Sequence, residues 1–175
     1  MKINIQMLVT AIESASEWMG RLASWLVLAM VLLICYDVSM RYLFQHGSVA
    51  LQELEWHLFA LIFLFGAAYT LKHDQHVRVD ILFHSRYVSD RARAWINIGG
   101  TLLFLIPFSI LVLATSWPFV ENAFLYNESS PDPGGLPYRF LLKGSLLVAF
   151  GLILLQGIAD IIKNIKQLQA DKEAR

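Results

Sequence analysis

The sequence predicts an all-α membrane protein with four transmembrane helices, short interfacial helical segments, and N- and C-termini in the cytoplasm. Three observations predict it. Apolar residues make up 57% of the 175-residue chain and charged residues only 16%, against roughly 45–50% and about 25% in soluble domains. The apolar residues gather into four long runs. Lysine and arginine fall unevenly between the loops that would join those runs.

The first segment, residues 18–38, has an uncharged centre from Leu22 to Tyr36. The second covers 54–71 and is uncharged from Trp56 onward. The third, 94–120, has 27 residues without a formal charge, about 40 Å as a helix at 1.5 Å per residue. The fourth covers 138–162 and is uncharged from Gly144 to Ala159. Only the third reaches the length of about 18 charge-free residues expected of a span. The others must place a terminal charge (Arg21, Glu55 or Lys143) in the headgroup layer, where long basic side chains can snorkel outward. A soluble bundle would carry a polar stripe at helical spacing, and LVLAMVLLIC and FALIFLFGAA carry none. The first run starts too late for a secretory signal and reads as an uncleaved anchor.

Orientation follows from the basic residues. One side of a four-span chain would hold Lys2, Arg21, Lys72, Arg78, Arg86, Arg91, Arg93, Lys163, Lys166, Lys172 and Arg175; the other holds Arg41, Arg139 and Lys143. Positive charge stays in the cytoplasm, which places both termini and the second loop there. Trp18 and Trp95 then fall at inner ends of spans and Trp56 and Trp117 at outer ends, as an aromatic girdle requires. Trp25 lies two turns deeper and is expected to face another helix.

Between the spans the residues are more varied. Leu8, Ala11, Ile12 and Ala15 form one helical face, so residues 3–15 either extend the first span or lie on the inner surface. The second loop mixes bulky apolar residues with basic ones, fitting a partly helical segment on anionic headgroups, with a solvated loop as the alternative. The tail from Lys163 is polar and is expected to fray. Pro131, Pro133 and Pro137 bar a helix in the third loop, while Gly134 and Gly135 permit positive φ, which predicts a tight, rigid outer turn. Pro107 should kink the third helix, with Ser109 or a neighbour satisfying the freed carbonyl. Gly66, Ala67, Ala68, Gly99, Gly100, Gly144, Gly151 and Gly157 would allow close helix contacts, though without a GxxxG pattern.

Catalytic chemistry finds little support. Asp37 and Arg41 share a helical face at the outer end of the first span, and Glu53 and Glu55 open the second at the same depth. Their place at span ends favours pinning of helix ends over an ion pathway. Haem ligation wants histidines facing each other from different helices, and only His57 lies inside a span. His73 and His76 have metal-like spacing without further ligands. No phosphate loop, Ser/His/Asp arrangement or HExxH occurs. Cys35, the single cysteine, excludes an internal disulfide and is expected to be a packing residue. The net charge of zero gives no footprint for nucleic acid.

The stretch from Tyr36 to Leu82 resembles the small membrane (Q-type) subunit of tripartite ATP-independent periplasmic (TRAP) transporters. The resemblance rests on Arg41–Tyr42, Glu53–Leu54, Gly66–Ala67–Ala68 and the signature His76-Val77-Arg78-Val79-Asp80, with Ser130 to Pro137 and then Arg139 and Lys143 similar to one branch. It implies a bacterial inner-membrane protein that is not an enzyme. Its partners would be the lipid bilayer, a large membrane subunit and a periplasmic substrate-binding protein. It would scaffold the large subunit during sodium-coupled uptake of an organic acid. Sodium would bind the large subunit, leaving no cofactor and no metal in this chain. Asp132, Pro133, Gly134, Gly135 and Arg139 would form a periplasmic turn, either a bare turn or a preshaped contact for the binding protein. A haem-binding electron-transfer subunit using His57, or a stand-alone small carrier, are the alternative readings.

Overall fold

A computed structural model describes residues 5–73 and 89–173. The chain runs through α1 (Ile5–Leu43), α2 (Val49–Lys72), α3 (Asp90–Gly100), a π-helical turn (Thr101–Leu105), α4 (Ile106–Leu125) and α5 (Phe140–Glu173). Four helices among the described residues are long and apolar enough to cross a membrane, α3, the π turn and α4 counting as one rod over Arg91–Leu125. The signature His76, Arg78 and Asp80, and most of the second loop, lie outside the described residues.

α1 settles the alternative left open for residues 3–15, since it is continuous from Ile5. Its 39 residues make a rod of about 58 Å, nearly twice the roughly 30 Å hydrocarbon thickness. α5 is also longer than expected: the polar stretch after Lys163 stays helical to Glu173. The excess of both helices falls at the same end of the bundle, where Val9 and Ile12 of α1 pack on Ala159 and Ile162 of α5. That end is called terminal here, and the end holding residues 44–48 and 126–139 distal.

The packing inverts that of a soluble protein. Ser16, Asp37, Ser109 and Gln156 are the largest fully buried side chains, while Trp25, Leu32, Phe63, Leu103 and Phe104 are exposed. In lipid, large apolar groups gain nothing by leaving the solvent, so small and hydrogen-bonding residues make the helix contacts. Trp25, expected against another helix, is 71% exposed. Cys35 is exposed on the flank of α1 rather than packed. α1 buries Val9, Ile12, Ser16, Gly20 and Ala23, a stripe rotated from the Leu8–Ala11–Ile12–Ala15 face, of which only Ile12 is buried. α5 packs against every other helix, and the α3–α4 rod rests principally on α5.

Pro107 acts through the turn before it. Proline has no N–H for the carbonyl four residues back, and the chain widens into the π turn at Thr101–Leu105, where Ile106 N–H donates to the Thr101 carbonyl. Gly157 of α5 accommodates this bulge: a Cβ there would lie 2.7 Å from Leu105 Cδ2 and 3.2 Å from Thr101 Cγ2. Ser109 does not repair the freed carbonyl; its hydroxyl is buried with no hydrogen-bond partner among the described residues. Open space surrounds Gly66, Gly99, Gly100 and Gly151, whereas Gly20 meets Tyr69 directly.

Candidate functional site at the distal end

The distal loop is built by its own backbone first. α4 ends with Asn127 in the left-handed conformation, φ 49°, and Glu128 N–H reaches back 2.9 Å to the Ala123 carbonyl, a C-terminal cap in which asparagine substitutes for glycine. Asp132, Pro133, Gly134 and Gly135 then form a β-turn, closed by Gly135 N–H to the Asp132 carbonyl at 3.0 Å. Pro133 presets the second position and Gly134, at φ 82°, supplies the left-handed third position of a type II turn. Below it, Ser130 N–H donates to the Leu136 carbonyl and Arg139 N–H to the Glu128 carbonyl, both at 3.0 Å. An ion pair of Lys143 with Glu128 closes the neck.

Glu53 joins this loop to α2. Its side chain is buried, the residue only 6% exposed. The Ser130 hydroxyl donates to Oε1, and Leu136 N–H donates to Oε2 at 2.6 Å. Both carboxylate oxygens are therefore used by the loop. The approach requires a glycine at 135, where a Cβ would overlap the Ser130 side chain and lie 2.8 Å from Glu53 Oε2. One turn later, Trp56 carries the Arg139 guanidinium over its ring at 5.6 Å. His57 Nδ1–H donates to the Glu53 carbonyl at 2.5 Å, and its ring packs on Trp56 with centroids 4.0 Å apart.

The other candidate residues are placed differently. Asp37 and Arg41 form an ion pair within α1, and Asp37 is 2% exposed. Of the carboxylates expected to pin helix ends at this depth, Asp37 takes Arg41 within its own helix, while Glu53 is engaged by the loop. Glu55 Oε1 and Asp37 Oδ1 are buried without hydrogen-bond partners among the described residues. Among the described residues, no three His, Cys, Asp or Glu side chains gather in a metal-binding arrangement. The cluster offers geometry and charge: the one hydroxyl on the Glu53 carboxylate, that of Ser130, is used together with Leu136 N–H to tie the loop to α2.

A second polar cluster at the terminal end was not read from the sequence. Glu17 of α1 pairs with Lys72 at 2.6 Å and His73 at 3.1 Å, joining α1 to α2. Glu13 pairs with Lys163, and the Ser16 hydroxyl donates to Gln156 Oε1 at 2.9 Å, joining α1 to α5. The signal was present: residues 13, 16, 17 and 20 recur at helical spacing in α1, and polar Gln156 interrupts an apolar run.

A family model described as "Tripartite ATP-independent periplasmic transporters, DctQ component" matches residues 30–167. The chain is also 33% identical over 115 residues to the C4-dicarboxylate TRAP transporter small permease protein DctQ of Vibrio cholerae, an alignment covering 63% of this chain and 48% of that protein. The chain thus spans about half the length of this relative. Glu53, Ser130, Gly135 and Leu136 all lie within the family match, whereas Glu13, Ser16, Glu17 and Gly20 precede it. With four helices among the described residues long and apolar enough to cross a membrane, and this match over most of its length, the chain belongs to the DctQ-component family of TRAP transporters, a multi-pass protein of the bacterial inner membrane and a transporter part rather than an enzyme.

Proposed function

We propose that this chain is the small permease subunit that binds and braces a larger membrane subunit during sodium-coupled uptake of an organic acid delivered by a periplasmic binding protein. The observation that carries the reading is the third membrane rod. It rests principally on α5, and Leu103, Phe104, Phe108, Leu111 and Trp117 along it are exposed. Those side chains offer a long apolar surface to lipid or to a second membrane protein, while the charged pairs are kept to the two ends. Sodium and substrate sites belong to the large subunit in this reading, and this chain needs no cofactor. The Vibrio cholerae relative is named for C4-dicarboxylates; for this chain the proposal extends to an organic acid.

Co-expression with a neighbouring large permease gene should yield a one-to-one complex that survives purification in detergent. Recovery of this chain only as a free subunit would count against the reading.

The same proposal places the terminal end in the cytoplasm and the 131–135 turn in the periplasm, where that turn meets the binding protein. Alkaline phosphatase inserted after Asp132 should be active, and a fluorescent protein fused after Arg175 should fluoresce. The reverse pattern would invert the topology and remove the turn from the binding protein's side.

A further inference from the structure

Residues 126–139 make a connection longer than the two to eight residues common between neighbouring helices of a bundle. The extra residues are ordered by hydrogen bonds, but most of those bonds lie within the loop or at its neck. Ser130 with Leu136, Asp132 with Gly135, and Glu128 with Arg139 close rings of the loop on itself. They set its local shape and leave its direction relative to the helices free. Contacts tie it to α2 at two levels: Arg139 over Trp56 holds the neck, and Glu53 reaches the turn.

We propose that Glu53 is a positioning residue that moulds the 130–136 turn and holds its exposed tip as a preformed acidic surface for a water-soluble partner with a basic patch. The inference rests on the reading above that a soluble binding protein meets this turn. Three features support it. Ser130 and Leu136 are the two ends of the inner ring, so a carboxylate bonded to both fixes the ring's width as well as its position. Gly135 leaves the space Glu53 occupies, so loop and helix are fitted to each other from both sides. Finally, the charges of the loop are sorted by depth. Lys143 is paired with Glu128 and Arg139 lies against Trp56, whereas Asp132 stands exposed at the tip. A fixed loop loses less conformational freedom on binding than a loose one, and this is the advantage of preorganisation.

The test uses four variants of the full chain: Glu53→Ala, Glu53→Gln, Gly135→Ala and Asp132→Asn. Amide hydrogen exchange is measured in lipid nanodiscs, and affinity for the cognate binding protein is measured on the co-expressed membrane complex. Glu53→Ala should speed exchange across 130–136 by about tenfold or more, since two charge-assisted bonds are lost. It should weaken partner binding by about tenfold. Gly135→Ala should do the same from the loop side with the carboxylate intact, which keeps the test alive if Glu53→Ala fails to fold. Glu53→Gln, retaining one carbonyl oxygen as acceptor, should fall between Glu53→Ala and wild type. Asp132→Asn should leave exchange unchanged but weaken binding and flatten its salt dependence.

Unchanged exchange in Glu53→Ala, or acceleration spread evenly over α1 and α5, would overturn the positioning role. A loosened loop with wild-type affinity would overturn its link to the partner. If Asp132→Asn also binds like wild type, the reading of the turn as a docking element fails, a result separate from the exchange data.

Discussion

Replacing Gly20 by leucine is expected to break the packing of α1 on α2, at a cost of about 3 kcal/mol, the upper end for overpacking a tight contact. A Cβ at this position would overlap Cγ and Cδ2 of Tyr69 and lie 2.9 Å from its Cβ. These atoms are the root of the ring, so a rotation of its far end cannot relieve the clash. Tyr69 is also restrained from the other side, because its ring packs on His73 at 4.4 Å between centroids and His73 bonds Glu17. Moving the ring therefore disturbs the ion pairs one turn below Gly20. Reversible unfolding in mixed micelles, followed by circular dichroism, measures the loss. Gly66→Leu and Gly151→Leu are the controls, since nothing lies within 4 Å of a Cβ at either place; each should stay within about 0.5 kcal/mol of wild type. The double variant Gly20→Ala with Tyr69→Ala should be less destabilised than the sum of its parts by about 1–2 kcal/mol. If Gly20→Leu unfolds no more easily than Gly66→Leu, this contact does not hold α1 to α2.

The contrast between Gly20 and Gly66 also shows where the sequence was legible. The number of spans could be read because transfer into lipid is a property of composition, and no partner need be known. The β-turn could be read because Pro133 and Gly134 carry their backbone preferences locally. The packing face of α1 could not be read by the rule for soluble helices. That rule selects bulky apolar residues as the core, yet in a bilayer Leu8 and Trp25 face outward while Ser16, Gly20 and Ala23 meet other helices. The role of Glu53 was hidden for a different reason. Its depth at the start of α2 was visible, but its partners lie 77 and 83 residues away, and Arg41, the nearer candidate, has Asp37 on its own helix. Sequence spacing sees a partner one turn away and says little about a backbone N–H on a distant loop. Pro107 was seen as a disturbance, but whether a hydroxyl or a widened turn would answer it depended on Gly157 of another helix.

Gln156→Ala is expected to cost about 2–3 kcal/mol, combining a cavity with lost hydrogen bonds at a fully buried position. Gln156 bridges two groups: its Oε1 accepts from Ser16 of α1, and its Nε2 donates to Asp160 Oδ1 at 3.1 Å. The hydroxyl has a fallback. Thr10, Ser14, Ser24 and Ser39 of the same helix all donate to the carbonyl four residues back, and Ser16 can turn to do so once its partner is gone. Gln156→Leu, which keeps the volume, should therefore cost only about 1 kcal/mol, and Ser16→Ala about 0.6 kcal/mol. The double-mutant cycle between Ser16→Ala and Gln156→Leu should return a coupling of about 0.6 kcal/mol. The same pair also sets register. The flanks of α1 and α5 are both apolar, so lipid exposure alone distinguishes poorly between rotations of one helix against the other. A buried donor and acceptor, with Glu13 one turn from Ser16 and its partner Lys163 two turns from Gln156, fit only one rotation. Disulfide trapping can read this: cysteines at Ile12 and Ala159, which pack together in the native core, should cross-link efficiently in wild type and poorly in Gln156→Ala. Efficient cross-linking in the variant, or a coupling indistinguishable from zero, would leave the register to the small residues and the ion pair alone.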